Sequence, residues 1–139
     1  MGRILGIDYG IKRVGIAVTD PLKIISTPLD TIDTPQIFNF LEKYLASENV
    51  EKIIVGLPVN LDQSDTEGSQ PAREFIEKLS LRIKTKYPEV QIIPIDERFT
   101  SKLAFQAMID GGLKKKQRRD KKLIDKVSAS LILQTYLGS

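Results

Sequence analysis

Three acidic side chains, Asp8, Glu97 and Asp125, are the residues of this chain best suited to chemistry. Asp8 directly follows Leu5-Gly6-Ile7, where a central strand should end, and Glu97 follows the apolar run at 90–95. Asp125 sits among Ile124, Val127 and Ala129. A carboxylate at such a place is costly to bury without a cation, a donor or water. The 139 residues include no histidine and no cysteine. That excludes imidazole acid–base catalysis, nearly all zinc chemistry, disulfides and thiolate metal sites. Any metal must be held by oxygen, which favours Mg²⁺ or Mn²⁺. Three converging acids repel one another and so make a site for divalent cations. Two such ions about 3.5–4 Å apart can bind both the attacking and the leaving oxygen of a phosphodiester. Each acid taken alone also has a plain structural reading. Asp8 could cap a turn. Asp125 could face a helix N-terminal dipole. Glu97 could pair with Arg98 or Lys102 at the surface. Asp96 is a poorer ligand, because it points away from Glu97 if the strand persists.

The elements that must position these acids follow from the pattern of apolar residues. Ile- and Val-rich runs at 3–8 and 14–20 flank a turn at 9–13 and predict an antiparallel hairpin. Gly6, Gly10 and Gly15 are expected to leave room for something large against the backbone. A third strand is expected at 24–32, with Ile25, Thr27, Leu29 and Thr31 on one face. Pro28 makes it an edge strand, since proline cannot donate to a ladder. Thr34-Pro35 predicts a helix start, with Thr34 as its cap and Ile37, Phe40, Leu41, Tyr44 and Leu45 inward. The run KIIVGL at 52–57 reads as a buried strand parallel to the first. A long polar loop at 58–70 follows, of a length that is often functional. A helix is expected at 71–87, with Ala72, Phe75, Ile76, Leu79 and Ile83 inward. The strand at 90–95 contains Pro94, again an edge signal. Thr100 or Ser101 caps a short helix that stops at Gly111-Gly112. The last helix spans 120–136, with Ile124, Val127, Leu131 and either Leu137 or Ile132 toward the sheet.

This order, β-β-β-α-β-α-β-α-α, predicts one α/β domain over 1–139 with a five-stranded mixed sheet flanked by helices. Right-handed crossovers put the first strand in the centre and give the order 3-2-1-4-5. The gap beyond strands one and four is then a topological switch point, where α/β sheets place ligands. Asp8 and the 56–60 loop open onto it, and the last helix could bring Asp125 beside Asp8.

Net charge is +3, but residues 113–123, LKKKQRRDKKL, hold seven basic residues and one acid. The rest of the chain is therefore slightly acidic. Lys114, Lys115, Lys116, Arg118 and Arg119 are expected to clamp phosphates, with affinity that falls as salt rises. The plain alternative is a solvated loop that binds nothing. Tyr9 and Phe99 could stack on a base, although Phe99 suits the core better. There is no leader pattern and no apolar run of membrane-spanning length, so a cytoplasmic protein away from membranes is expected.

The D-x-G hairpin is shared by two fold groups, the actin-like kinases and ATPases and the ribonuclease-H-like nucleases. An actin-like enzyme would need a second domain to close over its nucleotide. The segments IDYGIKRVGIAVTD, VGLPVN, IDERFTS and LIDKVSASLILQTYL resemble the signatures of the YqgF/RuvX family, in order and over essentially the whole chain. That family is described as ribonuclease-H-like, as Holliday junction resolvases and as nucleases maturing the 5′ end of pre-16S ribosomal RNA. The resemblance implies a metal-dependent endonuclease with Asp8, Glu97 and Asp125 as catalytic and metal-binding acids, and the cofactor expected is Mg²⁺ or Mn²⁺, as two ions. It puts Arg98 and Thr100 just after the glutamate and Asn60 in the loop beside the site; Arg98 or Lys12 is expected to support the scissile phosphate, and Lys12 and Arg13 to contact substrate. The chain departs from the family pattern in its longer 60–70 loop and in Lys126. Two alternatives stay open: a resolvase, which must be a dimer to cut opposite strands, and a non-catalytic RNA- or ribosome-binding factor. A monomer or weak homodimer is expected, with structured RNA or a four-way DNA junction, and through the RNA the pre-ribosome, as partners.

Overall fold

A computed structural model describes residues 2–58, 68–96 and 121–138. Its elements are β1 (Arg3–Tyr9), β2 (Arg13–Thr19), β3 (Ser26–Asp33), a 3₁₀ turn (Thr34–Gln36), α1 (Ile37–Ser47), β4 (Val50–Leu57), α2 (Ser69–Ile83), β5 (Gln91–Asp96) and α3 (Lys121–Leu137). The strands form one five-stranded sheet in the order β3-β2-β1-β4-β5, as expected. β1 pairs antiparallel with β2 and parallel with β4, and β5 extends the parallel half. The two proline-containing strands, β3 and β5, are the edges. The expected helix at 100–111 and most of the basic segment lie outside the described residues. No described helix is long and apolar enough to cross a membrane.

The central strands are apolar on both faces because both are covered. Alternation sends Leu5 and Ile7 of β1, Val14, Ile16 and Val18 of β2, and Ile53 and Val55 of β4 to one side. There they pack on Ile37, Leu41 and Leu45 of α1 and Phe75, Leu79 and Ile83 of α2. Ile4, Ala17 and Ile54 go to the other side and meet Ala129, Ile132 and Leu133 of α3. Inward residues of α1 and α2 are those the helical period predicts, with Phe40, Tyr44 and Ile76 only partly buried.

The α3 face is built differently from the expectation. Of the expected residues Ile132 is buried, together with Ser128, Ala129 and Leu133, whereas Ile124, Val127, Leu131 and Leu137 are only partly so. The reason lies in the sheet. A β-carbon on Gly6 would come within 2.7 Å of the Leu133 β-carbon and 2.9 Å of the Ala129 carbonyl oxygen. One on Gly15 would come within 2.0 Å of the Asp125 carbonyl oxygen. The space expected to admit a ligand at these two glycines is therefore filled by the protein's own last helix. Such a close approach demands small residues on the facing side of the helix, which Ser128 and Ala129 supply. Gly10 has a different task, since a β-carbon there would strike the Arg13 carbonyl oxygen across the turn, at 2.5 Å.

Two other expectations give way. In β3, Ala17 pairs with Pro28 and Ile16 with Asp30, so Leu29 is an extra residue in the ladder. The bulge inverts the alternation. Thr27 sits beside Val18, whose side chain faces α1 and α2, and Thr31 sits beside Gly15, on the α3 side. There the Thr31 hydroxyl donates to the Lys122 carbonyl, and Ser26 bonds Ser130 at 2.9 Å, so the edge strand is clamped to α3. Thr34 makes no side-chain cap: the chain enters α1 through the 3₁₀ turn. Its hydroxyl donates to the Gly10 carbonyl at 2.7 Å, and its amide donates to the Lys12 carbonyl at 3.0 Å. Thr34 thus braces the β1–β2 turn from behind. α2 begins at Ser69, two residues before Pro71, and the buried Ser69 hydroxyl donates to the Pro58 carbonyl. That bond ties the end of β4 to the start of α2.

Two stability measurements follow. Gly15→Ala should lower unfolding free energy by about 3 kcal/mol in urea, because backbone on both sides must move. Gly138→Ala, whose β-carbon would meet nothing nearer than 3.6 Å, should change it by less than about 0.5 kcal/mol. Equal stability of Gly15→Ala and the parent would mean that α3 is not seated this closely. Thr34→Val should cost about 1 kcal/mol by removing one hydroxyl bond to a turn carbonyl, and no change would deny Thr34 its bracing role.

Candidate active site

The chain leaves β1 for β2 and β3 on one side and returns through α1 to β4 on the other, which opens a crevice at the carboxyl ends of β1 and β4. Asp8 stands there, one residue before the end of β1. Its neighbours in the sheet are Gly15 on β2 and Gly56 on β4. Asp8 shares its face with Ile4 and Gly6, which is the α3 side. With glycine on both flanks, the carboxylate has no side chain beside it within the sheet. Asp8 itself is half-buried and engaged in contacts.

Asp125 reaches the same place from α3. It falls on the helix stripe that continues through Ser128, Ala129, Ile132 and Leu133, so its side chain is directed toward the sheet. Its carbonyl oxygen lies over Gly15, the residue paired with Asp8. Cross-strand partners of this kind have Cα atoms about 4.5–5.5 Å apart. The glycine contact thus brings the two acids together on one face of the sheet, although they are 117 positions apart in the chain.

Arg13, the first residue of β2, lies two residues from Gly15 on that same face. Its Nε donates to Asp125 Oδ2 at 2.8 Å. Both side chains keep partial exposure, 28% and 23%. The pair borders a cleft of about 370 Å³ formed, among the described residues, by the 9–13 turn, by Gly68 and Pro71 at the start of α2, and by Asp125. Lys12 lines it and is exposed. Ile11 is 70% exposed at the tip of the turn. Tyr9 borders the cleft too, but its ring is stacked on Phe75 at 4.6 Å, so one face is already taken. Burial, and then the charge of Glu74, push its phenol above the ordinary value.

Glu97, Asn60, Arg98, Thr100, Lys114, Lys115, Lys116, Arg118 and Arg119 lie outside the described residues. Glu97 directly follows Asp96, the last residue of β5. Among the described residues there is no group of three metal-capable side chains. Asp8 and Asp125, placed on the same face of the sheet, are hard oxygen donors in a chain without histidine or cysteine, a donor set that fits Mg²⁺ or Mn²⁺ and no soft metal. Reading the sequence did not single out the Arg13–Asp125 pair, the role of Gly68 and Pro71 as cleft wall, or Thr34 as a brace. Only the last had a local signal, a hydroxyl residue before a proline, and that signal suits a helix cap equally well.

A family model described as "RuvX: Holliday junction resolvase" matches residues 2–139. A protein of Christiangramia forsetii named "Putative pre-16S rRNA nuclease" is 50% identical over 137 residues, covering 99% of this chain and 98% of its own. A protein of the same name from Phocaeicola vulgatus is 49% identical over 139 residues, covering 100% and 97%. In fold, the chain is similar to Thermus thermophilus RuvC, solved in complex with a Holliday junction substrate, at a TM-score of 0.57 and 18% identity over 99% of this chain and 97% of that one. A second Thermus thermophilus RuvC structure gives 0.53 at 16% identity. The sheet order and these likenesses make the fold ribonuclease-H-like, and the chain belongs to the RuvX family of nucleases.

Proposed function

We propose that this protein is a divalent-metal-dependent endonuclease that cuts structured RNA and matures the 5′ end of pre-16S ribosomal RNA in the cytoplasm. The observation that supports the reading is the seat of α3 on Gly15, which puts the backbone of Asp125 over the strand partner of Asp8. The names of the 46–50% identical relatives support RNA as the substrate. Residues 1–139 act as one nuclease domain in this reading.

Asp8, Asp125 and Glu97 would hold the metal, as two Mg²⁺ or Mn²⁺ ions. Bound there, divalent cations supply the Lewis acidity that activates water and neutralises charge developing on a phosphate. The protein's own residues do the rest. Asp8 sits in a strand paired on both edges, so its carboxylate is presented by rigid backbone. Lys12 and Arg13 border the cleft and can meet backbone phosphates. Asn60, Arg98 and Thr100 adjoin these elements in sequence and are assigned to substrate binding. Lys114, Lys115, Lys116, Arg118 and Arg119 would hold the flanking nucleic acid without reading its sequence. The products are a 5′-phosphate and a 3′-hydroxyl.

The family description and the RuvC-like fold favour a second reading, cleavage of four-way DNA junctions. That activity needs two sites on opposite strands and hence a dimer.

One assay separates them. End-labelled pre-16S leader RNA and a four-way DNA junction are each incubated with the protein and Mg²⁺ or Mn²⁺. The RNA should be cut and the junction left intact. Asp8→Asn and Glu97→Gln should each slow cutting by about a thousandfold or more while the far-ultraviolet spectrum stays that of the parent. Symmetric cutting of the junction would move the resolvase reading to first place. Salt-sensitive binding with no cutting under either metal would make the protein a binding factor.

A further inference from the structure

The ion pair between Arg13 and Asp125 bears on how this site takes up metal and substrate. We propose that Arg13 competes with a divalent cation for the Asp125 carboxylate, so that cation binding transfers the guanidinium from Asp125 to a nucleic-acid phosphate. The inference rests on the metal-dependent reading given above. It makes Arg13 a positioning residue whose partner changes during the reaction cycle.

Four features carry it. The contact is made through Nε at 2.8 Å, to one oxygen of the carboxylate that the metal reading needs. A cation and a guanidinium held on the same carboxylate lie within a few ångströms of each other and repel. Both side chains are partly exposed at the cleft, so the pair is not sealed in the core and can part. The base of Arg13 is fixed. Its backbone pairs with Asp33 in the β2–β3 ladder, and Thr34 holds the carbonyls of Gly10 and Lys12 just before it. Exchange therefore needs only side-chain rotation, with the fold unchanged. Arginine also suits both partners. Its planar fork matches a carboxylate and a phosphate equally well, whereas lysine offers a single point charge.

This arrangement has two consequences. In the absence of divalent cation, Arg13 offsets repulsion between Asp125 and the neighbouring Asp8. Once a cation takes over that task, Arg13 is available beside Lys12 for phosphate. Metal and nucleic acid then bind with positive coupling, since each favours the arrangement the other needs.

The test titrates MnCl₂ into the whole protein by calorimetry, with no RNA present. Arg13→Gln keeps a hydrogen-bonding side chain and removes the charge, and it should bind Mn²⁺ about fivefold more tightly than the parent, the scale of a partly exposed ion pair. Arg13→Lys keeps the charge and should stay near the parent. The direction separates competition from mere support, because a variant that only disordered the site would bind Mn²⁺ more weakly. In a second arm, leader RNA is bound with and without Ca²⁺ and followed by fluorescence anisotropy. Parent affinity should rise about fivefold with the cation, and that of Arg13→Gln should not. Unchanged or weaker Mn²⁺ binding by Arg13→Gln would overturn the competition, and an equal Ca²⁺-dependent rise in RNA affinity would overturn the transfer to phosphate. Asp125→Asn is titrated in parallel. If it loses Mn²⁺ while Arg13→Gln matches the parent, the metal site stands and the exchange falls. If Asp125→Asn binds Mn²⁺ as the parent does, the metal assignment falls and takes the exchange with it.

Discussion

The carbonyl oxygen of Asp125 lies 2.0 Å from where a β-carbon of residue 15 would be. Only glycine permits that contact, and most of the site depends on it. The helix rests directly on the backbone of β2, so the first acid-bearing turn of α3 is delivered to the strand neighbour of Asp8. Gly6 allows a similar closeness further along, and the small Ser128 and Ala129 are buried on the helix side. Burial of Ile132 and Leu133 then supplies the apolar contact that keeps the helix down, on the order of 1.5–3 kcal/mol for each large side chain. Asp125 takes part in seating the helix through its backbone, which leaves its carboxylate at the cleft.

The sheet serves the same end from the other side. β1 is covered on both faces and paired on both edges, so Asp8 is presented by one of the most constrained segments of the chain. Thr34 braces the following turn, and Ser69 ties the end of β4 to the start of α2. The cleft is therefore walled by elements fixed from behind. Positioned carboxylates on rigid strands and helices are held more precisely than the same groups on loops, which matters where two charges must meet one phosphate.

Much of this was readable from the sequence, and the limits have physical causes. Strand order followed from Ile- and Val-rich runs, from crossover handedness and from Pro28 and Pro94, which can stand only at edges. Asp8 stood out because an acid at the end of an apolar strand needs a reason. The buried face of α3 was misread because apolar residues fall on more than one side of it. Ile124, Val127 and Leu131 keep helical spacing as well as Ile132 and Leu133 do. What decides between them is the glycine pair on the sheet, which no local pattern in the helix reports. The Leu29 bulge was missed for a similar reason, since one extra residue in a polar edge strand changes no composition. Arg13 and Asp125 are 112 residues apart, and only the folded sheet brings them into contact.

The central claim is that Asp8 and Asp125 form one cation site, and diffraction can test it directly. Crystals soaked in MnCl₂ and measured at the manganese absorption edge would locate the ion by its anomalous signal. The account predicts a peak within coordination distance of both carboxylates, at the carboxyl end of β1. A peak elsewhere, or one that engages neither acid, would contradict it.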